Sequence, residues 1–213
     1  MANILRKLLL MMAVLLVPAT ILSGTVLFFA GSRFTEAILP ATYRIITFLH
    51  PEYDFREFKL SKESRPKAIT FVVNVQRKFG SGSFVFNNVQ GFPFSGRLLE
   101  STLYVMPLII FSLLFAWPFL SVYKKLAAVL ISLPFLLFAE LFDISLFVIG
   151  NIEAQIRSII YVTGTDTLSY HISTFCASFL SNGGRQFIAI LVFLLAIAPF
   201  HLKARASRNR PRQ

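Results

Sequence analysis

Leu8 to Ala30 is a run of about 23 residues without a charge. At ~1.5 Å of rise per residue such a run matches a bilayer hydrocarbon layer ~30 Å thick, and no soluble core requires it. Three more apolar runs follow, Thr102 to Tyr123, Leu126 to Gly150 and Phe187 to Leu202, the last with about 16 residues and near the lower limit for a span. With 55% of residues hydrophobic and 15% charged, neither a disordered chain nor an ordinary soluble domain fits. The expected fold is a mostly α membrane protein: four transmembrane helices, with a small β-rich extracytoplasmic domain between helices 1 and 2.

Arg6 and Lys7 precede the first run in the manner of a signal peptide. A signal core usually has ~7 to 15 residues, and no convincing small-x-small cleavage site follows, so residues 1–30 are expected to stay as a signal anchor. Lys124 and Lys125 separate the second run from the third, which makes residues 102–150 a helical hairpin. Residues 31–101 form an extracytoplasmic α+β domain, residues 151–186 a second extracytoplasmic or interfacial segment, and residues 187–213 the fourth span with a basic tail.

Charge sets the orientation. Arg6, Lys7, Lys124, Lys125, Lys203, Arg205, Arg208, Arg210 and Arg212 lie on one side with no acid among them. Under the positive-inside rule that side is cytoplasmic, so both termini face the cytoplasm of a bacterial inner (plasma) membrane. The other side carries twelve Lys/Arg against eight Asp/Glu, and the formal net charge is +11. The basic tail can also attract anionic lipids, but no accompanying domain points to nucleic acid. One cysteine excludes an intrachain disulfide, and no Asn-x-Ser/Thr sequon occurs.

Within 31–101, Ala41 to Leu49 reads as a short amphipathic helix ended by His50-Pro51, because a residue before proline leaves the helical region. Tyr53, Phe55, Phe58 and Leu60 alternate with charges in a strand-like series. Ala68 to Gln76 and Ser83 to Val89, joined by Gly80-Ser81-Gly82, read as a hairpin. Lys59, Lys62, Glu63, Arg65 and Lys67 make either a docking face or, more plainly, a solvated loop. Phe84, Phe86, Phe92 and Phe94 are candidates for facing a partner, with core packing as the ordinary alternative. The 24 phenylalanines exceed what lipid-facing helices need.

Glu140 and Asp143, three residues apart inside the third run, share a helix face. A carboxylate in hydrocarbon costs several kcal/mol unless it meets protein or water, so basic partners are expected, with Arg97, Arg157, His171 and Arg185 as candidates. A structural ion pair is the plain use; a proton or substrate pathway and a contact in trans are the sharper ones. Ile152, Ile156, Ile159 and Ile160 recur at helical spacing, either as an interfacial amphipathic helix or as an outward extension of helix three. Asn182-Gly183-Gly184 then breaks the chain. His171 and Cys176 could serve a thiol enzyme only if brought together, and five residues of helix turn them ~140° apart. No phosphate-cradling glycine loop, nucleophile elbow or HExxH helix occurs, so no catalytic residue, metal or cofactor is expected.

The anchor, the small outer domain and Leu98-Leu99-Glu100-Ser101-Thr102-Leu103-Tyr104-Val105-Met106-Pro107-Leu108-Ile109-Ile110 opening an apolar hairpin resemble exosortase-associated small bacterial membrane proteins. The likeness covers residues 1 to 150 and carries no catalytic residue. It implies a non-enzymatic accessory or scaffold protein of an envelope or surface-protein sorting and assembly system, partnered by another membrane protein or by its own copies. The alternative from the residues themselves is a small transporter or membrane enzyme that uses Glu140 and Asp143.

Overall fold

The computed structural model describes residues 2–61, 66–75, 93–159 and 168–208, without the side chains of 2–5, 8, 9, 157, 159, 168–170, 173 and 202–208. Helix α1 runs from Ala2 to Leu49 as one element of 48 residues. The separate helix expected over Ala41–Leu49 is therefore the end of the anchor helix, which continues through Pro40. Pro51 stops it: the last helical bond runs from His50 N–H to the Ile46 carbonyl, and Tyr53 N–H then closes a turn on His50. The buried stripe of α1 is Ala19, Ser23, Leu27, Gly31, Thr35, Ile38, Thr42 and Ile46. Most of these are small, which lets neighbouring backbone approach closely. The Thr42 hydroxyl donates to the Ile38 carbonyl at 3.0 Å, so burying it strands no donor.

Two compact units partition the chain, one of Met1–Gly31, Tyr104–Ala139 and Arg185–Gln213, the other of Ser32–Leu103 and Glu140–Gly184. The short helix α2 (Glu100–Leu103) ends a segment of the second unit, and from Tyr104 the chain enters the first with α3 (Val105–Ala116). A core of Met106, Ile110, Leu114, Ala128, Leu136, Ala189, Val192, Phe193 and Ala196 joins α3 to α4 (Val122–Ile159) and α6 (Arg185–Arg208). The hairpin link is not the lysine pair, which lies inside the first turns of α4. It is Trp117 to Ser121, because Pro118 drives Trp117 into extended backbone at φ −69°, ψ 114°. The Lys125 ammonium donates to the Phe115 carbonyl, satisfying one of the orphan acceptors at the end of α3.

A Cβ placed on Gly31 would overlap the Tyr104 ring, whereas one on Gly24 would sit 3.8 Å from Leu108. Gly31→Leu is therefore expected to cost about 2 kcal/mol, the usual scale of overpacking, and Gly24→Ala little. Thermal unfolding in detergent separates the two.

In the second unit, strands β1 (Tyr53–Ser61), β2 (Ala68–Val75) and β3 (Phe94–Leu99) make an antiparallel sheet of order β1-β2-β3. The register pairs Tyr53 with Val75 and Ser61 with Ala68 on one side of β2, and Ala68 with Leu99 and Val73 with Phe94 on the other. Both edges of β2 are thus occupied from Ala68 to Val73. The hairpin expected between Ala68–Gln76 and Ser83–Val89 is replaced there by β1 and β3, and Ser83–Val89 lies outside the described residues. Local alternation does not specify which strand closes on which. Ile69, Phe71, Val73 and Val75 are buried, and a bulge between Phe55 and Glu57 irregularises the outer strand, a common protection of sheet edges.

α4 continues without interruption to Ile159, burying Ile152 and Ile156, so the isoleucine repeat extends that helix rather than founding an interfacial one. Helix α5 (Leu168–Phe179) meets a kinked turn, Leu180–Gly184, at the Asn-Gly-Gly break, where Gly183 adopts φ 111°, open to glycine at no steric cost.

Among the described residues, three helices are long and apolar enough to cross a membrane: Leu10–Leu49, Val122–Ile156 and Thr174–His201. The span that looked shortest in sequence is among them. The run Thr102–Tyr123 instead makes a helical stretch limited to Glu100–Ala116, about 26 Å at the usual rise and short of the ~30 Å layer.

Candidate functional site

Glu140 and Asp143 project from α4 and are 0% and 1% exposed, enclosed with Ile144 and Ser145. Ser145 turns its hydroxyl back to the Leu141 carbonyl at 2.7 Å. Two further acids are buried in the same unit, Glu100 and Glu153. Glu153 is ten residues beyond Asp143, about 15 Å along the helix and ~80° around it, so it belongs to a different site.

That second site locks α4 to the sheet. The Tyr53 hydroxyl donates to Glu153 Oε1 at 2.8 Å, both groups buried. Two residues on, the Gln155 amide accepts from Ser95 N–H at 3.4 Å and donates to the Ser95 carbonyl at 2.7 Å. A side-chain amide there occupies the place a neighbouring peptide would take, capping the free edge of β3. Gly96, opposite Phe71 in the register, gives the space in which the Phe71 ring and the Asn151 carboxamide lie; a Cβ would overlap the ring and come within 2.9 Å of Asn151 Oδ1. Residues 53, 71, 96 and 153 are scattered along the chain, and no local pattern announces their meeting.

A third feature is an open groove of about 520 Å³ between the last turns of α1 and strand β1, lined by Glu36, Leu39, Pro40, Tyr43, Arg44, Phe55, Phe58, Lys59 and Leu60. Tyr43, Phe55 and Phe58 contact one another with ring centroids 5.6 to 6.2 Å apart, within the range of favourable aromatic pairs. His50 stacks on Tyr53 at 4.7 Å and faces Glu52 at 3.1 Å, continuing the aromatic series.

The four basic residues expected near the acidic pair stand on different elements, Arg97 on β3, Arg157 on α4, His171 on α5 and Arg185 on α6. Arg97 is exposed and donates to the Pro66 carbonyl. His171 is exposed on α5, and Arg185 is 7% exposed in the first turn of α6. The Arg157 side chain lies outside the described residues. Cys176 is half-buried on α5, while His171, on the same helix, is exposed. Phe84, Phe86 and Phe92 lie outside the described residues, whereas Phe94 is 2% exposed and belongs to the sheet core. Among the described residues no group of three or more His, Cys, Asp or Glu is placed to hold a metal ion. His201, at the far end of α6, accepts from the Trp117 indole N–H at 3.3 Å.

The groove and the sheet lock are the features that sequence reasoning missed. The small-residue stripe of α1 was legible at four-residue spacing. The groove was not, because its two walls belong to different elements. In comparisons with known proteins, no family model, no curated protein and no solved structure matches this chain.

Proposed function

We propose that the chain is a non-enzymatic accessory or scaffold protein of a bacterial inner membrane, serving an envelope or surface-protein assembly system with another membrane protein as its partner. The observation that supports this most is the uneven cover of the long apolar helices. Only 17% of the most apolar stretch of Leu10–Leu49 is buried by the rest of the chain, against 33% and 39% for the other two. Phe28 and Phe29 stand 77% and 76% exposed there. A helix so thinly covered, in a chain whose compact units already enclose their own cores, is suited to lie against another protein in the membrane. A photo-crosslinking residue at Phe28 or Phe29, followed by purification in mild detergent, should capture a stoichiometric membrane protein. Recovery of only uncrosslinked monomer overturns the reading.

In this proposal both termini are cytoplasmic, which requires an even number of crossings. The stretch Glu100–Ala116 supplies the fourth, followed by extended Trp117 and the turn that leads into α4. The helical ~26 Å with Trp117 extended beyond it comes within a few Å of the ~30 Å layer. Irregular backbone at membrane depth is tolerated when protein covers it. Leu120 is buried, and Trp117 contacts Phe193 edge-on at 5.3 Å. Reporter fusions at residues 57 and 124 should report opposite compartments; the same compartment for both removes the fourth crossing.

The full burial of Glu140 and Asp143 favours one second reading, a transporter or membrane enzyme that uses them chemically. Glu140→Gln with Asp143→Asn separates the two. Loss of function at unchanged abundance and complex formation supports chemical use, and loss of the protein itself supports a structural pair.

A further inference from the structure

We propose that the groove between α1 and β1 binds the phosphate headgroup of an anionic bilayer phospholipid, with the adjoining glycerol and first methylenes against its aromatic wall. The inference rests on the reading of α1 as a membrane-spanning helix and is independent of the partner protein proposed above. The groove's lining combines an apolar wall of Leu39, Pro40, Tyr43, Phe55, Phe58 and Leu60 with two cations, Arg44 and Lys59, against one acid, Glu36. A volume of about 520 Å³ is that of an ordinary small-ligand site.

The cations are available. Arg44 is exposed, and none of the ion pairs among the described residues engages it. Lys59 meets Glu57 at 3.1 Å but remains 65% exposed, so that pair is solvated and readily exchanged for a phosphate. Arginine offers a planar fork of donors matched to phosphate oxygens, and lysine a mobile point charge beside it.

The groove also lies where a lipid can reach it. Arg33 is the first charge after the uncharged run of α1, so it marks the exit from hydrocarbon. Glu36 to Pro40 follow within about 5 to 10 Å along the helix, the depth of the headgroup layer. Arg44 is about 16 Å beyond Arg33, but helical side chains lean toward the helix N-terminus, which here is the membrane side, and a long side chain returns most of a turn. A soluble anion would need the two cations and would gain nothing from three packed rings. An acyl-linked phosphate uses both halves of the groove.

The test is native mass spectrometry of the full chain released from nanodiscs of phosphatidylcholine containing one-fifth phosphatidylglycerol. The wild type should retain one phosphatidylglycerol more than Arg44→Glu/Lys59→Glu, with at least a tenfold loss of that bound population in the variant. The basic tail is present in both proteins and cancels in the comparison. Both substituted side chains are exposed, and an unchanged thermal midpoint in pure phosphatidylcholine verifies folding. Phosphatidylglycerol should raise that midpoint in the wild type and not in the variant; Phe58→Ala should weaken retention with both cations in place. Equal retention by wild type and Arg44→Glu/Lys59→Glu overturns the proposal, as does equal retention of phosphatidylcholine. Displacement by millimolar inorganic phosphate overturns it in favour of a free anion, and displacement of the lipid by a co-purifying protein in favour of a protein site.

Discussion

Gly96→Val is expected to be among the most damaging single substitutions in the sheet-bearing unit, costing about 3 kcal/mol, at the upper end of overpacking. The reason is geometric. Phe71 is fully buried and directly opposite Gly96, and its ring lies where the new side chain must go. Asn151 Oδ1 of α4 would also lie 2.9 Å from the new Cβ. A branched Cβ therefore displaces β3 from β2 or the sheet from the helix. Thermal unfolding in detergent reads the loss, and Phe71→Leu in the same chain should restore part of it, because residues in contact are not additive. If Gly96→Val unfolds like the wild type, the Phe71–Gly96 juxtaposition is wrong, and with it the register of β3.

The second large effect is expected at the buried hydrogen bond between Tyr53 and Glu153. Tyr53→Phe removes a hydroxyl and almost no volume, yet it withdraws a donor from a buried carboxylate, which costs about 1 to 3 kcal/mol. Glu153→Gln keeps an acceptor for the same hydroxyl and should cost less than Tyr53→Phe. Glu153→Leu, which strands the hydroxyl as well as removing the acceptor, should exceed both. Because this bond ties β1 to a position 100 residues later, its loss should appear as faster local hydrogen exchange in β1 before the apolar helices respond. Uniform exchange throughout, with β1 no more affected than α3, would show that the bond contributes nothing to holding the sheet.

How far the fold is legible varies with the range of the interaction. The His50-Pro51 stop, the strands at Tyr53 and Ala68 and the Asn-Gly-Gly break are consequences of one or two neighbouring residues, and each is found where local chemistry puts it. Trp117-Pro118 obeys the same rule as His50-Pro51, yet the lysine pair, a more conspicuous signal, drew the hairpin link to the wrong place. Charge marks topology, whereas backbone sterics mark where a helix ends. Similarly, the enclosure of Glu140 and Asp143 follows from their place in an apolar run, but the surroundings of Arg97 and Arg185 do not. Arg97 is drawn to a sheet carbonyl and Arg185 into the interior for reasons that depend on what else the chain brings near them.

The order of residues by itself determined that this chain has helices able to cross a bilayer, that His50-Pro51 and Asn182-Gly183-Gly184 interrupt them, and that a small sheet lies between the first helix and the next. Those outcomes rest on hydropathy and on φ/ψ restrictions that a residue imposes on itself and its neighbour. The tertiary structure alone decided which strands flank β2, that Gln155 closes the edge of β3, and that a wall of α1 faces β1 to form the groove. Each of these depends on side chains far apart in sequence fitting a common space, and no local pattern encodes volume shared between distant segments.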